Sequence, residues 1–255
     1  MQRPPGAGRP LILSNRSVNG WISRVAQRHR EFTSLHLSPE QHDRIRKWVE
    51  VTFVDSTLRL EGLEVTEADV LGAISSTRSG HAVATSPDSD VVELLRGIRL
   101  LQDFALGNGT VAGLTAELLL RLHGGAREFR SSQGERVGPA MPVGPEHLAA
   151  SVESACRWFS AESFAELNPI EQASIVHLRL LEIQPFEQAN LRIAILASSL
   201  FTLRSGLPPV IVMSDLAGAY EKAVAESRSG NTQPMVEMMG SAVEGALIRM
   251  IGLAA

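Results

Sequence analysis

The chain has 255 residues, 24 of them Lys or Arg and 28 Asp or Glu, giving a formal net charge of −4, with 44% hydrophobic and 20% charged residues. That balance is ordinary for a globular protein and far from disorder, and the length suffices to bury a sizeable core. The mild acidity excludes broad electrostatic binding of nucleic acid, which needs a clustered cationic face. A local basic pocket for a small anion stays compatible with it.

Cys156 is the only cysteine, so neither an intramolecular disulfide nor a Cys-based zinc site can form. It reads as a small buried apolar residue. The longest apolar stretch, Ile193 to Leu203, is far shorter than the ~20 residues of a membrane span. The opening residues Met1 to Pro10 lack the apolar core of a signal peptide and read as a flexible tail. A cytoplasmic protein is the expectation, with residues 1–35 as a loosely attached extension and 36–255 as one helical domain.

In chain order the signals are helical. Ser38-Pro39-Glu40 supplies an N-cap, a first-turn proline and an acid, and opens a helix through about Val54. Thr66 caps another, with Asp69 in the capping-box position. Gly80 to Asp90, rich in Ser, Pro and Asp, reads as a loop. Val91, Leu94, Leu95, Ile98 and Leu101 then follow helical spacing, and Gly107-Asn108-Gly109 stops that run. Thr115 caps a short helix to about His123. From Gly124 to Pro145 glycine and proline recur and periodicity vanishes, as in a loop or short hairpin over the surface. Helices resume at about His147–Phe159, Pro169–Leu181, Asn190–Arg204, Asp215–Ser229 and Pro234–Ile251. The expected fold is all-α, with at most one hairpin. Met235, Met238 and Met239 read as core, Gly218 and Gly240 as close helix contacts, and the apolar stretch Val243 to Ala255 as a surface for docking or for a second copy.

The informative window runs from Ile170 to Pro209. A helix breaks at Gln184-Pro185-Phe186, where the proline disfavours helical geometry in the residue before it. A second helix starts near Asn190 with Arg192 in its first turn, which the helix dipole opposes unless an anion lies there. An anion site and an ordinary surface corner both fit this pattern.

The window Gln184 to Ile195 resembles the signature of the Fic (Fic/Doc) family, H-P-F-x-[D/E]-G-N-G-R-x-x-R. His177, Leu207-Pro208-Pro209 and Arg127-Glu128-Phe129-Arg130 resemble its flanks, and Thr57-Leu58-Arg59-Leu60-Glu61-Gly62 resembles its inhibitory-helix pattern [S/T]-x-x-x-E-[G/N]. The resemblance spans roughly residues 57–240 and implies a Fic-like helical bundle. It also implies transfer of AMP from ATP to a protein hydroxyl, with a motif histidine as base, a motif acid holding Mg2+ and two glycines opening a phosphate nest.

The sequence departs from that pattern at the chemistry. Gln184 stands for the histidine, and an amide takes up no proton near neutral pH. Gln188 stands for the acid and is a poor ligand for a hard cation. Ala189 and Leu191 replace the glycines, narrow the nest and disfavour positive φ. Ile195 replaces the second arginine, while Phe186, Asn190 and Arg192 are kept. Loss of a general base alone costs ~10² to 10⁴ in rate. No metal or cofactor is expected, and the reading is a degenerate Fic protein that binds a partner or an anionic ligand.

Glu61 loses the second arginine that the family's glutamate meets. It turns to Arg192 or Arg130, faces a water-filled pocket, or serves as a capping or surface-paired residue. The candidate site is therefore Glu61 as acid or base, with Arg192, Asn190, Gln184, Gln188 and Arg130 around an anion. The alternative function is a repurposed enzyme on an anionic small molecule, and residual AMP transfer is the weakest. The loop 134–145 resembles the strip on which the family aligns target peptides, so a protein partner there is one expectation and a homodimer another.

Overall fold

The computed structural model describes residues 18–79, 88–105, 113–124, 126–134, 141–227 and 231–255. Among them the elements are α1 (Val18–Thr33), α2 (Pro39–Leu60), α3 (Glu67–Ser79), α4 (Asp88–Ala105), α5 (Ala116–His123), α6 (Pro145–Phe159), α7 (Glu162–Ala165), α8 (Pro169–Ile183), α9 (Asn190–Arg204), α10 (Ala217–Ser227) and α11 (Gln233–Ala254), with a 3-10 turn at Ser214–Leu216. No strand occurs among the described residues. The fold is all-α, and no described helix is long and apolar enough to cross a membrane.

Local chemistry sets the helix starts. The Ser38 hydroxyl accepts from the Gln41 N–H at 3.3 Å while the Gln41 side chain accepts from the Ser38 N–H at 2.7 Å, a reciprocal box. Thr66 and Asp69 do the same for α3 at 3.2 and 2.9 Å, and Thr115 caps α5 through the Leu118 N–H. Asn168 and Glu171 box α8 ahead of Pro169.

Some ends differ from expectation. α2 runs past Val54 to Leu60, because Ser56, Thr57 and Leu58 are buried and the first residue to break the helix is Gly62, at φ 77°. α4 already begins at Asp88, within the expected loop; residues 80–87 and the Gly107-Asn108-Gly109 stop lie outside the described residues.

α8 and α9 pair along their lengths, and α9 is enclosed by α2, α4 and α5 as well. Every residue from Arg192 to Thr202 is buried, Ile195 among them. α11 closes the other side of α8 with Met235, Met238 and Met239 in the core. Cys156 is buried too, and burial pushes its thiol up to about 11.

The expectation of a loosely attached extension fails over residues 18–33. α1 lies on α11, and Trp21, 4% exposed, presses so close to Gly240 that a Cβ there would sit 2.9 Å from the indole. Arg24 pairs with Glu244 across the same contact. Gly240 is thus the close helix contact expected of it, but Gly218 meets nothing within 4 Å.

Candidate functional site

The site is built where α8 ends and α9 begins. Gln184 closes α8 in the left-handed region at φ 47°, its N–H donating to the Leu180 carbonyl at 2.9 Å, and Pro185 prevents continuation. Ala189 opens α9 at φ 64°. Alanine therefore takes the backbone conformation that glycine adopts without strain, at a cost of about 1–2 kcal/mol. The side chain disfavours positive φ, yet Ala189 adopts it all the same. Leu191, by contrast, sits inside the first turn of α9.

Asn190 clasps the loop. Its Oδ1 accepts from the Phe186 N–H at 2.9 Å and its Nδ2 donates to the Phe186 carbonyl at 2.7 Å. Phe186 is buried, with the His123 ring at 4.4 Å and Phe129 at 5.7 Å between centroids.

Arg130 holds the loop from outside. Its Nε donates to the Gln184 carbonyl at 2.6 Å and its Nη2 to the Ile183 carbonyl at 3.3 Å, satisfying carbonyls left open at the end of α8. Nη1 donates to the Ser132 carbonyl at 2.6 Å, and Nη2 also meets the Val143 carbonyl. The guanidinium thus ties both stems of the 134–145 loop to the motif. Residues 135–140 of that loop lie outside the described residues.

Arg192 is enclosed by carboxylates. Glu61, the C-cap of α2, accepts the Arg192 backbone N–H at 3.1 Å on one oxygen and the Nε–H at 2.7 Å on the other. Nη2 approaches the same carboxylate at 2.6 Å, and Nη1 donates to Asp90 at 2.7 Å. Burial alone would lower the Arg192 pKa, but the bonds to Asp90 and Glu61 outweigh it and raise the value. Of the directions open to Glu61, the structure takes the one toward Arg192. Its carboxylate lies where an anion would cap α9.

The two motif amides part company. Gln184 is buried and lines a cavity of about 360 Å³ with Leu181, Asn190, Leu191, Tyr220 and Val224. Gln188 is exposed and lines a separate cavity of about 440 Å³ with His123, Phe129, Arg130 and Phe186. Glu187 is exposed, and its hydrogen bonds from Ser132 hold it below the usual carboxylate range. His177 is buried with Nε2 2.8 Å from the Tyr220 hydroxyl, and burial brings its pKa down to about 4. It packs the bundle. Among the described residues no group of His, Cys, Asp and Glu is placed to hold a metal ion.

Sequence reasoning missed Asp90, Glu93 and His123. Burial, and then the charge of Asp90, raise the Glu93 carboxyl. Burial lowers His123, whose Nδ1 accepts the Ala126 N–H at 3.1 Å. The one local hint was a titratable residue just before the glycine that ends α5.

Residues 112–202, which contain the α5 helix, the clasping arginine and the whole motif, match the profile of the Fic/DOC family. Over that stretch the chain is Fic-like. A protein adenylyltransferase, fic-1 of Caenorhabditis elegans, is 33% identical over 116 residues, 46% of this chain and 23% of that protein. The protein adenylyltransferase Fic of Drosophila melanogaster is 31% identical over 120 residues, 47% of this chain and 24% of that protein. The match thus spans about a quarter of each relative's length. Solved Fic structures share the fold over nearly the whole chain. C. elegans Fic-1, residues 134–508, aligns with a TM-score of 0.74 at 24% identity, covering 91% of this chain and 71% of that one. A Fic domain containing signaling protein from Bacteroides thetaiotaomicron aligns with a TM-score of 0.76 at 20% identity, covering 92% and 97%.

Proposed function

We propose that this Fic-like domain no longer transfers AMP and acts by binding a protein partner, with the 134–145 loop as the presenting strip. The observation that carries the reading is the carboxylate of Glu61 on the Arg192 N–H and guanidinium. An incoming phosphate must displace Glu61 from the helix N-terminus and compete with Asp90 for the same arginine, so like charges oppose it at the point where the family attracts it. Gln184 and Gln188 supply neither the base nor the hard metal ligand that the transfer needs.

An anionic small molecule is disfavoured on the same ground, since the guanidinium groups of Arg130 and Arg192 both spend their donors within the protein. The repurposed-enzyme reading asks Glu61 to exchange protons, and a carboxylate held by three N–H donors of one arginine is ill placed to do so. A binding role fits the clasp better, because Arg130 pins Ser132 and Val143 and leaves Met141 beside them 64% exposed.

The test is incubation with Mg2+ and ATP labelled at the α-phosphate, alone and with protein acceptors. No label is expected on any acceptor, and no thermal stabilisation by Mg2+–ATP. Label transfer that disappears in Arg192→Ala overturns the reading.

A further inference from the structure

Where α8 gives way to α9, the side chain of Gln184 is left without a bond. The residue is 4% exposed, and among the described residues neither its amide nitrogen nor its amide oxygen has a hydrogen-bond partner. The polar side chains around it are committed elsewhere. Asn190 spends its amide on the Phe186 backbone, Arg130 its donors on carbonyls, and the Tyr220 hydroxyl meets His177. A buried amide that bonds to nothing is uncommon, because taking it from water costs stability unless a partner is supplied. The amide atoms of Gln184 are not sealed in. They open on the cavity of about 360 Å³ between the α8–α9 corner and α10.

The walls of that cavity define what completes the bond. Leu181, Leu191 and Val224 give it an aliphatic lining, and Glu221, exposed at its edge, opposes an anion. Beside the amide, the stem of the 134–145 loop passes so close that a Cβ on Gly134 would lie 3.1 Å from the Gln184 Oε1. A primary amide offers an N–H and a carbonyl oxygen side by side. Its complement is another edge of the same kind, one donor beside one acceptor, on an uncharged body that suits aliphatic walls.

We propose that this cavity binds an uncharged small molecule with an aliphatic body and a cis-amide or primary-amide edge, read by the side-chain amide of Gln184 through a reciprocal pair of hydrogen bonds. The ligand N–H donates to the amide oxygen, and the ligand carbonyl accepts from the amide nitrogen. A phosphate or carboxylate has no proton for that oxygen, must pass Glu221, and finds nothing among the aliphatic walls to replace its water. The site needs neither the presenting loop nor a protein partner, so the labelling test above and the test below fail separately.

The probe is ε-caprolactam, whose cis amide carries this edge on an aliphatic ring, titrated into the full chain by saturation-transfer NMR. Cycloheptanone, of the same ring size without the N–H, and hexanoate, an anion, are the comparisons. The lactam is expected to bind with a dissociation constant on the order of 1 mM, in keeping with its size. It should bind about tenfold tighter than cycloheptanone, and hexanoate should be weaker still. Gln184→Met keeps the volume and removes the amide, and is expected to abolish the preference for the lactam while cycloheptanone still binds. Val224→Phe fills the cavity and is expected to exclude both. The ranking of ligands on the unaltered chain needs no variant to fold, and each variant is checked for an unchanged circular dichroism spectrum. A lactam that does not bind at ~20 mM, or binds no tighter than cycloheptanone or hexanoate, overturns the proposal. So does a preference that survives Gln184→Met, or binding that survives Val224→Phe.

Discussion

The carboxylate of Glu61 bridges the backbone and the side chain of Arg192, residues 131 positions apart in sequence. One group thereby caps α9, neutralises the guanidinium and fastens the end of α2 to the motif. Arg192 is 9% exposed and Glu61 13% at the side chain, so the contact is nearly dry.

Glu61→Ala removes the cap and leaves Arg192 with Asp90 alone. The expected loss is about 2–3 kcal/mol of folding stability, the range for a buried charged hydrogen bond whose partner is left under-satisfied. The opened N-terminus should then accept an anion. Urea unfolding reads the first effect, and pyrophosphate-dependent thermal stabilisation, larger in the variant than in the parent chain, reads the second. An unchanged response to pyrophosphate would show that the end of α9 is no anion site even when uncovered.

The two glycines missing from the motif are not equivalent, and substitution separates them. Ala189 already holds φ 64°, so Ala189→Gly relieves left-handed strain of about 1–2 kcal/mol against a rise in unfolded-state entropy of about 0.4–1 kcal/mol. A net gain of about 0.5–1 kcal/mol is expected. Leu191 is helical and half-buried, so Leu191→Gly loses helix propensity worth about 1 kcal/mol and the packing of the isobutyl group besides. Urea midpoints should move in opposite directions.

The fold was legible where its determinants are local. Ser38 with Gln41, Thr66 with Asp69 and Asn168 with Pro169 each carry a helix start within four residues, and Pro185 carries the break between α8 and α9. α1 was not legible in this way, because Trp21 finds its place only through Gly240, far along the chain. The candidate site divides along the same line. Asn190 bonds within its own loop, and the motif alone pointed to it. Arg192 depends on Asp90, which no spacing in the sequence connects to it. The choice of Glu61 between Arg192 and Arg130 was set by geometry too, since Arg130 is occupied by carbonyls of α8 and the loop stems.

If α1 belongs to the folded unit, Trp21 should behave as a core residue. Trp21→Ala is expected to cost about 3–5 kcal/mol, the range for emptying a buried aromatic site. Trp21→Phe should cost much less than its lost area suggests. The indole N–H is buried without a hydrogen-bond partner among the described residues, so the replacement also removes a desolvated donor. Chemical denaturation of both variants checks this, and equal, small effects would return α1 to the status of a loose extension.

His177 makes stability depend on pH in a window set by its burial. The folded state holds the imidazole at about 4 because burial opposes its charged form, while the unfolded chain binds the proton near the ordinary value of about 6.5. Between those values the unfolded state carries more protons, so stability rises with pH; it is fully present above about 6.5 and lost as pH falls toward 4. The expected contribution is about 1.4 kcal/mol per pH unit, or about 2 kcal/mol between neutrality and pH 5. Carboxylates add their own dependence at the acid end, so the measurement is a comparison. Urea unfolding of the parent chain and of His177→Gln, at matched steps from pH 7 to pH 5, should show a shallower loss in the variant even though its stability at pH 7 is lower. Parallel profiles would mean that the buried ring takes up its proton without resistance, contrary to its burial on α8 against the hydroxyl of Tyr220.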